Sequence, residues 1–114
     1  MKLSDFIKNY YSIITTKNLN ELETVFDSDS PFFSATKHQY EQMRMQFNLA
    51  VDLQDLTLIS QQKDLIVVRD KIFFTACSEE HNVKSINENL HILVLKDNQW
   101  KIHQISTFNS QQGT

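Results

Sequence analysis

Two apolar runs separated only by Asp97-Asn98 lie near the end of the chain and constrain its fold more than any other segment. Asp and Asn tolerate positive φ better than most residues, so the pair reads as a two-residue hairpin turn. With the turn centred there, Leu95 faces Trp100, Leu93 faces Ile102, His91 faces Gln104 and Asn89 faces Ser106. Side chains alternate along a strand, so all of these share one face of the sheet. The other face carries Val94 with Lys101, Ile92 with His103, and Leu90 with Ile105. The first face is apolar near the turn and polar toward its other end, and the second is largely apolar. Neither is clearly wet, whereas a small antiparallel sheet usually leaves one face wet. Helices of the chain can cover one side, and a second copy is expected to cover part of the other. Two alternatives stand beside this: a long helix or loop of the same chain covers it, or a one-residue slip exchanges every assignment.

The segments before the hairpin divide into helices and then strands. Leu3, Phe6, Ile7, Tyr10, Ile13 and Ile14 follow the three-and-four spacing of one helix face. Asn18 with Glu21 reads as a capping box for a short second helix through Leu19, Leu22 and Phe26. Asp27-Ser28-Asp29-Ser30-Pro31 then forms a turn. Thr36 with Gln39 predicts the start of a third helix, with Tyr40, Met43 and Phe47 as its stripe and Leu49, Ala50 and Val51 near its end. From Asp55 the pattern is β: Leu56–Ile59, one long bent strand from Leu65 to Cys77, and the two hairpin strands. Helices first and an antiparallel meander after them define an α+β fold. We expect a single domain over residues 1–109 and a flexible tail over 110–114.

Composition narrows the function by exclusion. Average usage would put roughly eight glycines and six prolines in a chain of this length. There is one of each, Gly113 and Pro31, so no glycine-rich phosphate loop can form. A net charge of -3 argues against a general electrostatic footprint for nucleic acid. The lone Cys77 excludes an internal disulfide, and no apolar run approaches the ~20 residues of a membrane span. Nor does Met1-Lys2-Leu3-Ser4-Asp5 resemble a signal peptide. A cytoplasmic protein with no cofactor and no membrane partner is the expectation.

The opening helix with Tyr10-Tyr11, then Asn18-Leu19-Asn20-Glu21-Leu22 leading to Val25-Phe26-Asp27, and the closing Leu93-Val94-Leu95-Lys96-Asp97-Asn98-Gln99-Trp100-Lys101-Ile102-His103 together resemble the nuclear transport factor 2-like superfamily. The resemblance is to its small SnoaL-like and ketosteroid-isomerase-like members and spans about Leu3 to Phe108. The family usually has a glycine in the turn that here holds Asn98. The resemblance implies three N-terminal helices packed on a strongly curved antiparallel sheet, a cystatin-like cone. It also implies a homodimer through the outer sheet face and a pocket inside the cone. Members include isomerases, cyclases, dehydratases, transport factors and assembly domains, so the fold alone assigns no activity. The active ones pair an acidic base with a tyrosine or histidine that polarises a carbonyl.

The inferred interior phase of the last two strands carries Asn89, His91, Gln104 and Ser106, and no carboxylate. Glu88 falls on the other phase unless a bulge intervenes. His91 reads either as a base or as a half-buried histidine bonded to Gln104. Asp70 shares its phase with Ile66, Val68, Ile72, Phe74 and Ala76, which makes it either a base on an apolar face or a bend residue paired with Arg69 or Lys71. Of the adjacent tyrosines, Tyr10 fits the apolar stripe better and is the expected ligand contact, although packing alone would also explain it. Glu79-Glu80-His81 lacks a second ligand cluster, so no metal site is expected. His103 is expected on the outer face at an interface.

The reading is a dimeric cone that binds a small, partly apolar ligand through Tyr10, Asn89, His91, Gln104 and Ser106. If it is an enzyme, the expected chemistry is isomerase-, cyclase- or dehydratase-like proton transfer beside a carbonyl, with His91 or Asp70 as base. The alternative is a non-enzymatic protein-interaction module whose cone is filled by side chains. Eight phenylalanines supply material for such a plug. A dry cavity below roughly 300 Å³ would favour it.

Overall fold

The computed structural model describes residues 2–112. Helix α1 (Leu3–Thr15) is followed by a short 3-10 helix (Leu19–Thr24), helix α2 (Phe33–Gln46) and four strands, β1 (Asn48–Gln61), β2 (Leu65–Cys77), β3 (Asn82–Lys96) and β4 (Gln99–Gln112). The strands pair in chain order, each antiparallel to the next. Asp97 and Asn98 hold the closing turn at φ 51° and 63°, the conformation expected of a type I′ turn. No described helix is long and apolar enough to cross a membrane.

One core joins α1 to the inner face of the sheet. Ile7, Tyr10, Tyr11, Ile13 and Ile14 of α1 are buried against Ile66, Val68, Ile72, Leu93 and Ile102. Both tyrosines are buried, although consecutive helix residues point about 100° apart. The curved sheet wraps far enough round α1 to cover both, so Tyr11 faces inward beside the Tyr10 that the apolar stripe favoured.

Local signals placed some boundaries and misplaced others. Asn18 does cap, its side chain accepting from the Asn20 amide at 2.9 Å, but what it opens is a 3-10 turn. The third helix starts at Phe33, three residues before the expected Thr36 cap, with no side-chain cap. It ends at Gln46, and Leu49, Ala50 and Val51 belong to β1. Their pairing with Ala76, Thr75 and Phe74 overrides the helical spacing. At the other end, β4 runs through Ser110 to Gln112 where a tail was expected, because β3 extends beside it and Ser110 Oγ donates to Asn87 Oδ1 at 2.7 Å. Gly113 and Thr114, the rest of that expected tail, lie outside the described residues.

The segment between the helices is tied to the hairpin. Ile102 donates its amide to Val25 O at 2.7 Å, and Asp27 donates to Ile102 O at 2.8 Å, forming a one-residue parallel bridge at Phe26. Ser30 Oγ also donates to His103 O. Asp27 is nearly buried and contacts Lys96 Nζ at 3.2 Å and His103 Nδ1 at 3.3 Å. His103 therefore packs against its own chain at a bulge, not on a free outer face.

Burial pushes the Asp27 carboxyl up, but the Asp29 backbone amide, His103 and Lys96 outweigh it and hold it below its ordinary 3.8. A carboxyl depressed on folding stabilises fully above its unfolded value, and the contribution disappears as pH falls through the folded one. The urea midpoint is therefore expected to fall as pH drops below about 4, and Asp27→Asn should flatten that acid limb. An unchanged limb in the variant would rule Asp27 out as its source.

Candidate functional site

The bend of β2 places Asp70 on the inner face, and β3 brings Asn89 and His91 beside it. Asp70 is 1% exposed and His91 is fully buried. Tyr11 Oη donates to Asp70 Oδ2 at 2.5 Å, and Asn89 Nδ2 donates to Asp70 Oδ1 at 2.9 Å. His91 Nε2 lies 2.6 Å from the same Oδ2 and 3.3 Å from the Tyr11 hydroxyl. Donation from Nε2 is the arrangement a carboxylate partner selects. The other ring nitrogen, Nδ1, is buried with no partner among the described residues. Thr107 Oγ1 donates to Asn89 Oδ1 at 2.5 Å, which fixes the amide's orientation.

Burial, then the neighbouring Asp70 carboxylate, holds the Tyr11 hydroxyl far above the usual phenol range. Burial likewise raises Tyr10, with Tyr40 and Asp70 adding to it. Tyr40 is raised by burial against an opposing contribution from Tyr10. All three phenols therefore stay protonated and act as O–H groups rather than phenolates.

Beside this cluster a cavity of about 280 Å³ opens between α1, α2 and the sheet. Tyr11 and Asn89 stand on its wall, while Asp70 lies behind them. On the sheet side Ile72 and Phe74 of β2 and Ile105 of β4 supply apolar lining, and Ser85 and Asn87 of β3 and Thr107 of β4 supply polar groups among them. Helix α2 covers it with Gln39, Tyr40 and Met43. None of the α2 side chains is fully buried, and the helix is held by Phe33 edge-on to Phe26 at 5.7 Å. Arg44 Nη1 also reaches Lys17 O at 2.7 Å, just past the end of α1, where a cation suits the terminal carbonyls.

The structure brings Tyr10, Asn89, His91 and Asp70 together and separates Gln104 and Ser106 from them. The predicted register holds at Leu95–Trp100 and Leu93–Ile102 and then breaks. His103 is an extra residue in β4, so Ile92 pairs with Gln104 and His91 with Ile105. Asn89 consequently pairs with Thr107. A single-residue bulge reverses every later side chain. Gln104 and Ser106 lie on the outer face, bonded to each other at 3.1 Å. His91 is bonded to Asp70 rather than to Gln104, and Asp70 pairs with neither Arg69 nor Lys71. Arg69 instead pairs with Glu88 on the outer face.

Tyr11, Tyr40, Ile105 and Thr107 are among the site residues that sequence reasoning missed, with Ser85 and Asn87 of β3 beside them. Tyr11 had a readable signal, since it follows Ile7 by four on the same helix face. Thr107 had none, because its phase depends on the bulge. Among the described residues no group of acidic, histidine or cysteine side chains is arranged to hold a metal ion.

Solved structures share this fold at low identity. A provisionally assigned aromatic ring hydroxylase of Novosphingobium aromaticivorans superposes with TM-score 0.81 and 11% identity, over 97% of this chain and 90% of that one. A provisionally assigned scytalone dehydratase of the same organism gives 0.78 and 15%, over 98% and 85%. The intermembrane space region of the chloroplast protein ARC6 gives 0.68 and 13%, over 91% and 92%. These likenesses show a shared α+β fold. None of the curated proteins matches the sequence. Residues 6–112 match the family described as the C-terminal domain of the anti-sigma-I factor RsgI9.

Proposed function

We propose, from the premise that this chain belongs to the family of anti-sigma-I factor RsgI9 C-terminal domains, that it binds a small, partly apolar ligand in its cone. One observation carries the reading: a buried carboxylate, Asp70, takes three donors from Tyr11, Asn89 and His91, and two of those donors form the cavity wall. Buried polar networks cost desolvation, and a fold needing only stability does as well with apolar residues there. The network instead supports a wall of oriented hydroxyl and amide groups that hold a ligand. At about 280 Å³ the cavity falls just below the usual range of ligand sites, but its hydrogen-bonding wall distinguishes it from a dry plug. Within a regulator, ligand occupancy is the signal such a domain would supply.

A catalytic reading is second, supported by the same cluster. In it a proton beside a substrate carbonyl passes to the Tyr11 oxygen while the Tyr11 proton moves to Asp70. The C–H bond breaks, the carboxylate becomes neutral, and the enolate charge rests on the substrate oxygen. Tyr10 and Tyr40, as protonated phenols, are the donors for that oxygen. Asp70 and His91 act through Tyr11 and are positioning residues. Binding ranks above turnover because Asp70 is already occupied and shielded from the cavity.

A homodimer through the outer sheet face completes the proposal, in a reducing compartment such as the cytoplasm. Leu90, Ile92 and Phe73 are half-buried there, and Phe108 is 49% exposed beneath the Arg69 guanidinium. Native mass spectrometry tests both parts. A dimer carrying a releasable small molecule is expected, and Met43→Trp, which fills the cavity from α2, should abolish the adduct and every fragment-induced thermal shift. A monomer would remove the dimer; fragments that shift the filled variant as much as the parent would remove the cavity as the binding site.

A further inference from the structure

Resting on the ligand-binding reading above, we infer that the cone selects a neutral, hydroxylated compound of one or two rings and rejects carboxylates, phosphates and amines. The first observation is the composition of the wall. Among the described residues lining the cavity, no side chain carries a formal charge. The polar positions are carboxamides and hydroxyls, among them Gln39, Ser85, Asn87, Asn89, Thr107 and Gln112, and each can both donate and accept. An anion would enter without a cation to pair with it, and a buried unpaired charge is strongly disfavoured.

The second observation concerns the nearest buried charge. Asp70 is the natural counter-ion for an amine, yet Tyr11, Asn89 and His91 already take up its oxygens and it is 1% exposed. A ligand cation would have to displace Tyr11 or Asn89 to reach it. The third is shape. Ile72 and Phe74 of β2 stand directly across from Asn87 and Ser85 of β3, so apolar and hydrogen-bonding groups lie side by side on one wall, which suits a ring carrying hydroxyls. A volume of about 280 Å³ is less than twice the ~150 Å³ of a cavity that holds benzene, which limits the occupant to one or two rings.

Three matched probes test the inference by isothermal titration: 4-hydroxybenzyl alcohol, 4-hydroxybenzoate and 4-hydroxybenzylamine, which share a ring and differ in charge. The alcohol is expected to bind at least about tenfold more tightly than either charged partner. Asn87→Asp should invert the order toward the amine, since an aspartate there still accepts the Ser110 hydroxyl. A charged probe binding as well as the alcohol overturns the selectivity and leaves the binding site standing. No binding by any probe, to parent or variant, overturns the ligand-binding reading together with the inference built on it.

Discussion

Asp70→Ala is expected to destabilise the fold by about 3–5 kcal/mol, the cost of breaking a buried charge-centred network by removing one member. The variant removes the acceptor of the Tyr11 hydroxyl and the nearer acceptor of the Asn89 amide and the His91 ring nitrogen, which keep only the Tyr11 oxygen at 3.3 Å between them. Each orphaned group costs about 1–3 kcal/mol, so the sum falls in the same range once relaxation is allowed. Removing the whole network has a different outcome. The quadruple variant Tyr11→Phe, Asp70→Leu, Asn89→Leu, His91→Leu replaces the polar set with apolar groups of similar bulk, and should regain parent stability or exceed it. The same quadruple variant should bind no ligand. Urea denaturation and calorimetric titration on one set of proteins separate the two effects. A loss below about 1 kcal/mol for Asp70→Ala would mean that the carboxylate is hydrated in solution, and the proposed wall would lose its support.

Phe26→Ala carries the second large effect, a loss of about 3–5 kcal/mol. Phe26 is 1% exposed and sits where the inter-helix segment meets β4, between the two backbone bonds to Ile102. Its ring also receives Phe33, the first residue of α2, in an edge-to-face contact. Truncation empties core volume and loosens the start of the helix that covers the cavity. Hydrogen exchange should therefore accelerate across α2 well before it does across α1, whose amides lie in the main core. Uniform acceleration would show that α2 is held chiefly by other contacts, such as Arg44 on Lys17 O.

Much of the site was legible because one strand phase is a local property. Asp70 alternates with Ile66, Val68, Ile72 and Phe74, and the structure buries it among that set. Asn89 and His91 followed from counting back from the Asp97-Asn98 turn, since β3 keeps its alternation unbroken from Leu95 to Asn89. Gln104 and Ser106 failed on the same count because β4 does not: His103 interrupts it, and Phe108 interrupts it again. The α2–β1 boundary failed for a related reason. Tyr40, Met43 and Phe47 keep a helical spacing, and only the pairing of Asn48 with Cys77 ends the helix.

Short-range chemistry was enough for the order of elements, the closing turn, the inward phase of β2 and the glycine-poor composition that excludes phosphate loops. Those features depend on a few bonds between near neighbours, and the residue types declare them directly. Where the sheet must bulge to wrap α1, and hence which β4 side chains meet Asp70, was decided by the folded whole. A bulge costs one residue of register wherever it forms, and its place is set by the curvature needed to enclose a helix dozens of residues away. No window of sequence contains that demand, so Thr107 and Ile105 became site residues only when the helix and sheet came together.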